Sequence, residues 1–183
     1  MHCRLPTLRL PTLLFALLWG ACAAAAEPSA PAVRYEPSPP GVVQAMMDLA
    51  TVSSGDVVYD LGCGDGRIVI AAAALGAHAV CVDIDPVRIA EAQENARRAG
   101  VAGRIEFRNE DLFATDLRGA SVVMLFLSLD YNMALRPRLQ RQLKPGSRVV
   151  SHWHRMGSWK PHKTVHVRHE WRDHEVFLWV INQ

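Results

Sequence analysis

The sequence predicts an α/β protein with a mostly parallel sheet, and three observations lead to that fold class. Apolar segments of strand length alternate with helical patterns along most of the chain. A glycine-rich turn, Gly62–Gly66, separates one such strand from the helix after it. The run Ser121–Leu127 is almost continuously apolar, which is typical of a central parallel strand buried on both faces.

The first strand and helix flank the glycine turn. Asp56–Leu61 has the short apolar pattern of a buried strand, and Arg67–Leu75 is a run of mostly small apolar residues that favours a helix packed on a sheet. Gly62, Gly64 and Gly66 allow the backbone to turn sharply and to approach a ligand closely. Since ligands of such folds bind at the carboxyl ends of the strands, we expect a nucleotide-like ligand at this turn.

The spacing of the glycines argues against a dinucleotide. Dinucleotide-binding turns have the pattern G-x-G-x-x-G and hold pyrophosphate at the helix N-terminus, whereas Arg67 stands where the third glycine would be. Asp60, two residues before Gly62, would repel pyrophosphate and attract a cationic amino group. The turn therefore favours a ligand with a cationic amino acid moiety.

Polar residues also follow the next two strand patterns. Ala77–Asp83 ends in a carboxylate, and Asp83 is placed to accept hydrogen bonds from both hydroxyls of a ribose. The segment Asn109–Leu112 follows the strand pattern Arg104–Arg108 and is placed to contact an adenine edge. Together with the glycine turn, these positions form an ordered set along one edge of the sheet.

The remaining elements are predicted from apolar periodicity and capping residues. We predict helices over residues 41–50, 87–99 and 132–143, a strand over 147–152, and two strands within 166–183. Asp85 is a candidate N-cap of the second helix, and Pro137 falls in the first turns of the third. The interval 153–161 is predicted to be a loop.

The N-terminus has the features of a secretory signal peptide. Arg4 and Arg9 precede the short apolar run Thr12–Trp19, and a segment of small residues ends at Ala26. We predict three regions: a signal peptide over residues 1–26, a Pro- and Ala-rich linker and arm over 27–40, and a folded domain over 41–183. The leader predicts a periplasmic or secreted protein, or a membrane-associated one if it is not cleaved.

The charge composition limits which classes of binding partner are expected. The chain carries 20 Lys and Arg against 18 Asp and Glu, and removal of Arg4 and Arg9 with the leader leaves 18 of each. This neutral balance gives no support for a nucleic-acid partner. At 183 residues, one domain is expected, and we expect it to be a monomer.

Two cysteines remain after removal of the leader, too few for a disulfide framework. Cys63 and Cys81 fall near the ends of strands expected to be neighbours, so a bond between them is one alternative. We expect instead that Cys63 is a small buried filler.

Histidines are concentrated after position 150, where six of the eight lie. Two pairs have ligand-like spacing, His152 with His154 and His166 with His169, but no carboxylate or cysteine completes a ligand set. We therefore predict no metal site, and we place His152 or Trp153 near the mouth of the substrate site.

The residues at the three strand ends resemble the cofactor motifs of class I S-adenosylmethionine (SAM) dependent methyltransferases. The motifs are D-L-G-C-G-D-G from Asp60, V-D-I-D from Val82 and E-D-L-F from Glu110, and the resemblance covers residues 35–183. It implies a Rossmann-like, seven-stranded, mostly parallel sheet with helices on both faces and an antiparallel C-terminal strand. It also implies SAM as the cofactor.

The same resemblance implies a role for each matched residue. It places the following near the cofactor: Gly62, Gly64 and Gly66 along the methionine moiety, Asp60 at its amine, Asp83 on the ribose, Ile84 beside the adenine, and Asp111 with Leu112 at the adenine edge. Asp130 and Tyr131 follow the central strand where such enzymes place residues that face the transferred methyl, so they are the candidate catalytic residues.

A narrower resemblance concerns the arm and the fifth strand. The segments R-Y-E-P-S-P-P-G-V-V, G-D-G-R-I-V and R-V-V-S-H-W, with G-S-W-K-P downstream, are similar to a subgroup of small protein-lysine methyltransferases. Its members include mitochondrial enzymes that act on an ATP synthase membrane subunit and on an adenine nucleotide carrier, and bacterial relatives. This resemblance implies that Tyr35 and the prolines after it cover the cofactor, and that the acceptor is a lysine of a protein, membrane proteins included. Glu36 departs from it, since an apolar residue is expected there.

Two alternatives stay open. One is methylation of a small molecule, which differs only in the acceptor. The other is an exported, non-catalytic module that binds a nucleoside or a protein, because the leader directs the chain out of the cytoplasm, where SAM is made.

Overall fold

The structure, a computed structural model, describes residues 35–182 together with His2, so the predicted leader and most of the linker lie outside the described residues. The elements are helices α1 (Pro40–Ala50), α2 (Arg67–Ala74), α3 (Pro86–Arg98) and α4 (Leu129–Gln142), and strands β1 (Val57–Leu61), β2 (His78–Asp83), β3 (Ile105–Asn109), β4 (Val122–Leu125), β5 (Arg148–His152), β6 (Lys163–His169) and β7 (Arg172–Val180). A short 3₁₀ turn, Ala102–Arg104, precedes β3.

All seven strands form one sheet in the order β3-β2-β1-β4-β5-β7-β6. The first five strands are parallel to one another, whereas β7 runs antiparallel to both β5 and β6. The predicted mostly parallel sheet with an antiparallel C-terminal strand is therefore confirmed.

Helices cover both faces of the sheet. Side chains of α1, α2 and α3 pack with one set of strand residues, which includes Val58, Cys81 and Val150. Residues of α4 pack with the alternate set, which includes Tyr59 and Val149. Because successive residues of a strand point to opposite faces, strands buried on both sides need the continuous apolar runs seen in the sequence.

Two details of α4 correct the sequence prediction. The helix begins at Leu129 and not at residue 132, because Ser128 acts as its N-cap and its hydroxyl accepts a hydrogen bond from the Tyr131 N–H at 3.4 Å. Pro137 lies inside the helix and not in its first turns. Since Pro137 is exposed, its ring faces solvent and the helix continues past it.

The two cysteines also differ from expectation, because Cys63 and Cys81 form a disulfide. The reason is the path of the chain after β1. The N–H groups of Gly62 and Cys63 both donate to the Val82 carbonyl, at 2.8 and 3.0 Å, which folds the start of the turn back onto β2. Cys63 is thereby brought beside Cys81, which lies one residue before Val82.

None of the helices in the described part of the chain is both long and apolar enough to span a membrane.

Candidate active site

The glycine turn after β1 adopts, at three positions, a left-handed conformation that favours glycine. Gly62, Gly64 and Gly66 have φ angles of +83°, +53° and +80°. A Cβ at Gly66 would lie 2.9 Å from the Cβ of Ala92 on α3, and one at Gly64 would collide with the ring of Tyr35. The turn is therefore a bare backbone surface held between α3 and the arm.

Asp60 lies at the end of β1, directly below this turn, and only 2% of it is exposed. Its Oδ2 has no hydrogen-bond partner, which is unusual for a buried carboxyl oxygen. Burial raises the pKa of Asp60 well above its ordinary value, and the nearby carboxylates of Asp83 and Asp65 raise it further. A buried acidic group without a partner is suited to a cationic amine supplied by a ligand.

Asp83 connects the end of β2 to the glycine turn. One carboxylate oxygen accepts the Gly64 N–H at 2.9 Å, and the other accepts the Asp85 N–H at 3.0 Å. Each oxygen keeps a further lone pair for a ligand hydroxyl. The structure therefore brings Asp60, Gly64 and Asp83 together.

The predicted adenine-side residues lie at the ends of β2 and β3. Ile84 is 63% exposed, and its carbonyl accepts a hydrogen bond from the Asn109 side chain at 2.9 Å. Asp111 caps its own turn by accepting the Phe113 N–H at 2.8 Å, and Leu112 packs partly against the core. An exposed apolar side chain beside these polar groups forms an open surface for a flat apolar ring.

The arm, residues 35–39, lies over the glycine turn. The Tyr35 ring contacts Gly64 and has the Arg88 guanidinium 4.0 Å from its centroid. Burial raises the pKa of the Tyr35 hydroxyl, and the neighbouring Asp65 raises it further. Arg67 fastens the arm, because it donates to the Ser38 carbonyl at 2.8 Å while it pairs with Asp65 at 2.6 Å.

A buried histidine connects the arm to the sheet. The Ser38 hydroxyl lies 2.9 Å from His152 Nδ1, and His152 Nε2 lies 2.9 Å from His174 Nδ1. Burial, with a further contribution from His174, lowers the pKa of His152 to about 3. His152 is therefore neutral at physiological pH and joins Ser38 on the arm to His174 on β7.

A cavity of about 450 Å³ opens between the arm, the end of β5 and the turn between β6 and β7. Its lining is rich in aromatic and imidazole groups: Glu36, Pro37, Pro39, Phe126, His152, Trp153, His154, His169, Glu170, Trp171, Arg172 and His174. His152 and Trp153 both line this cavity, and the placement of His152 or Trp153 near the substrate opening stays a prediction.

The two candidate catalytic residues are not part of that lining. Asp130 is exposed in the first turn of α4, and its side chain makes no hydrogen bond or ion pair with any residue between 35 and 182. Tyr131 is half-buried, with its ring 5.4 Å from that of Phe113, centroid to centroid. The structure places Tyr131 closer to the Leu112 side of the edge than to the cavity.

Sequence reasoning missed three residues that organise the site. Arg67 and Arg88 contact the arm, but an arginine in a sequence does not by itself indicate which segment it will contact. Asn132 on α4 donates to Ser151 Oγ and to the His154 carbonyl, both at 3.0 Å, and so connects α4 to the end of β5. The only sequence feature that relates to this role is that Asn132 follows the Ser128 cap by four residues.

Between residues 35 and 182, no three His, Cys, Asp or Glu side chains come together as a metal site would require.

The strand order, the glycine turn and the acidic strand ends define a class I SAM-dependent methyltransferase. The residues fit this cofactor, because Asp60 offers an unpartnered buried carboxyl oxygen to a cationic amine. Residues 60–163 match the ANTKMT methyltransferase domain, and the chain belongs to that methyltransferase family.

Two relatives show how far the similarity extends. A protein-lysine N-methyltransferase of Saccharolobus islandicus is 43% identical over 155 residues, which cover 84% of this chain and 96% of the archaeal one. The mouse adenine nucleotide translocase lysine N-methyltransferase is 34% identical over 120 residues, which cover 65% of this chain and 52% of the mouse one. The chain thus spans nearly all of the archaeal relative and about half of the mouse one.

A solved structure agrees in fold and cofactor. A Salinibacter ruber protein described as an RNA methyltransferase, in complex with S-adenosyl-L-homocysteine, is 47% identical. It superposes with a TM-score of 0.76 over 81% of this chain and 95% of its own. These findings confirm SAM as the cofactor, as the sequence motifs predicted.

Proposed function

We propose that this methyltransferase transfers the methyl group of SAM to a lysine amine of a protein. The observation that carries the choice of acceptor is the similarity to the archaeal protein-lysine N-methyltransferase, because it extends over 84% of this chain and so includes the region beyond the cofactor motifs. The neutral charge balance outside the leader also favours a protein acceptor over RNA.

Each residue at the strand ends receives a role in this proposal. Asp60 pairs with the cofactor amine, and the backbone of the glycine turn lies along the methionine moiety. Asp83 accepts hydrogen bonds from the ribose hydroxyls. The adenine lies between Ile84 and the segment that contains Asp111 and Leu112, and Tyr35 covers the cofactor from the arm.

Methyl transfer requires mainly that the acceptor nitrogen be aligned with the methyl group. When bound, SAM supplies a methyl group already activated by the sulfonium. The ammonium of the acceptor would first give its proton to water. Its nitrogen lone pair would then form the new N–C bond as the C–S bond breaks and its electrons pass to sulfur. The protein contributes mainly alignment for this in-line attack. A role of Asp130 and Tyr131 in it stays a prediction of the resemblance, because neither residue lines the cavity.

We also propose that the chain works outside the cytoplasm or at a membrane. The predicted leader motivates this proposal, and the Cys63–Cys81 disulfide supports it, because structural disulfides persist mainly in oxidising compartments. Fractionation of cells that carry the tagged chain tests it: a purely cytoplasmic pool would contradict export.

The acceptor class is tested by incubating the full chain with methyl-labelled SAM and soluble or membrane extracts, with Asp60→Asn as the inactive control. Label that is removed by protease and resists nuclease supports protein methylation. Nuclease-sensitive label identifies RNA, and solvent-extractable label identifies a small molecule. Either would overturn the proposal, and so would SAM binding without any transfer, which is the behaviour of a non-catalytic module.

A further inference from the structure

The cavity between the arm and the β6–β7 turn continues the row of strand ends that holds the cofactor residues. Along the edge of the sheet, β3, β2 and β1 carry the adenine, ribose and amino acid positions in turn. The next two strands are β4 and β5, and Phe126 and His152 at their ends line the cavity. The cavity therefore lies at the same edge of the sheet as the cofactor residues, next in strand order after the amino acid position.

The backbone around the cavity is strained at two positions. Within the described chain, only Thr51, Trp153 and Glu170 are non-glycine residues with positive φ, and the last two line the cavity. Trp153, at φ +70°, is held there by its N–H, which donates to the Glu175 carbonyl at 2.8 Å. Bulky residues adopt this conformation rarely, and such strain concentrates at functional sites.

Exposed aromatic rings form the rim. Trp153 is 41% exposed and Trp171 is 72% exposed, although apolar side chains of this size are usually buried. Aromatic faces attract ammonium groups and pack well along methylene chains. Trp171 already has the Arg172 guanidinium 4.5 Å from its ring centroid, so a cation of this kind is seen at the rim within the chain itself. The rim is thus suited to the methylenes of a long side chain, with Trp153 offering the further aromatic face.

The charges of the lining also select a cation. Glu36 and Glu170 contribute two carboxylates, whereas Arg172 contributes one guanidinium, which lies 3.8 Å from Glu36. The imidazoles do not reverse this balance, because burial lowers the pKa of three of them: His152, His154 and His174. A phosphate-bearing acceptor would meet net repulsion here.

We propose that this cavity binds the side chain of the acceptor lysine, with Glu36 as the carboxylate that attracts its ammonium and Trp153 and Trp171 as the walls along its methylenes. The inference rests on the proposed function, because it names the acceptor site of the same reaction. It also explains why position 36 is a glutamate, although the resemblance to the protein-lysine methyltransferases predicts an apolar residue there.

The test measures methyl transfer to polylysine by the full chain and by two variants, Glu36→Gln and Glu36→Lys. We expect the KM for polylysine to rise about threefold with Glu36→Gln and about tenfold with Glu36→Lys, as for exposed charges near a binding site. The Kd for SAM and the Tm should stay unchanged, since Glu36 is exposed and outside the cofactor positions. The matched controls are Glu94→Gln and Glu94→Lys, because Glu94 is exposed on α3 and lines no part of the cavity.

The outcomes separate the two proposals. If the unmodified chain methylates polylysine but both Glu36 variants retain its KM, or if the Glu94 variants change it equally, the cavity is not the acceptor site and the proposed function stands. If the unmodified chain transfers methyl groups only to RNA or to a small molecule, the proposed function itself fails.

Discussion

Replacing Asp60 by Asn tests the assignment of the cofactor amine most directly. The side chain keeps its shape but loses its charge at a position where the carboxyl is buried and one oxygen has no partner within the protein. A hydrogen bond to a charged group contributes about 1.5–3 kcal/mol, and the absence of a competing partner places Asp60 at the upper end of that range. At about 1.4 kcal/mol per factor of ten, we expect SAM to bind roughly 100-fold more weakly.

The pH dependence gives this prediction a second readout. Because the pKa of Asp60 is raised in the free protein, the carboxyl keeps its proton above its ordinary range, and binding of a cationic amine expels that proton. Affinity for SAM should therefore increase with pH, by up to about tenfold per unit while Asp60 is protonated, and Asp60→Asn should abolish this slope. By the same linkage, the raised pKa makes the free protein less stable as pH rises through it.

Isothermal titration of SAM into both proteins, in two buffers of different ionisation enthalpy, measures the affinity and counts the released protons. Asp48→Asn on α1 is the control, since Asp48 is exposed and its carboxylate only accepts a bond from Gln44. If Asp60→Asn bound SAM within about threefold of the unmodified affinity and released the same number of protons, the assignment would be refuted.

Three further changes have defined outcomes. Gly64→Ala should displace Tyr35, because its Cβ has no room beside the ring, and titration should show SAM binding weakened about tenfold or more. Removal of the disulfide by Cys63→Ala with Cys81→Ala should lower stability by about 3 kcal/mol, as for a short closed loop, and an unchanged Tm would contradict a formed bond. Because the pKa of His152 is lowered from 6.5 to about 3, stability should fall as pH drops over that range, by on the order of 5 kcal/mol from this group. Urea denaturation of His152→Gln should show a shallower dependence on pH.

The cofactor edge could be predicted from the sequence because its signals are local. These signals are a glycine turn between a strand and a helix and an acidic residue at the end of the next strand. Each indicates a cofactor position without any knowledge of how the rest of the chain folds. Helix α3 likewise begins as expected, with the Asp85 side chain accepting the Val87 N–H at 2.8 Å. The predicted start of α4 at residue 132 was wrong, although Ser128 is a preferred cap residue and the helix begins directly after it.

The disulfide and the arm could not be predicted in the same way. Whether Cys63 meets Cys81 depends on how the turn folds back onto β2, which spacing alone does not define. The contacts of the arm join residues far apart in the chain, such as Ser38 with His152 and Arg67 with the Ser38 carbonyl. A surface arginine and a buried histidine have many other uses, so their residue types do not indicate these partners.

The position of the arm has a kinetic consequence. One five-residue segment, residues 35–39, contacts the glycine turn through Tyr35 and lines the cavity through Glu36, Pro37 and Pro39. A molecule that enters beneath Tyr35 must lift a segment whose other end shapes the second opening. Because one segment shapes both openings, we expect an ordered reaction in which the cofactor binds before the acceptor. We also expect the demethylated cofactor to leave only after the methylated acceptor has left.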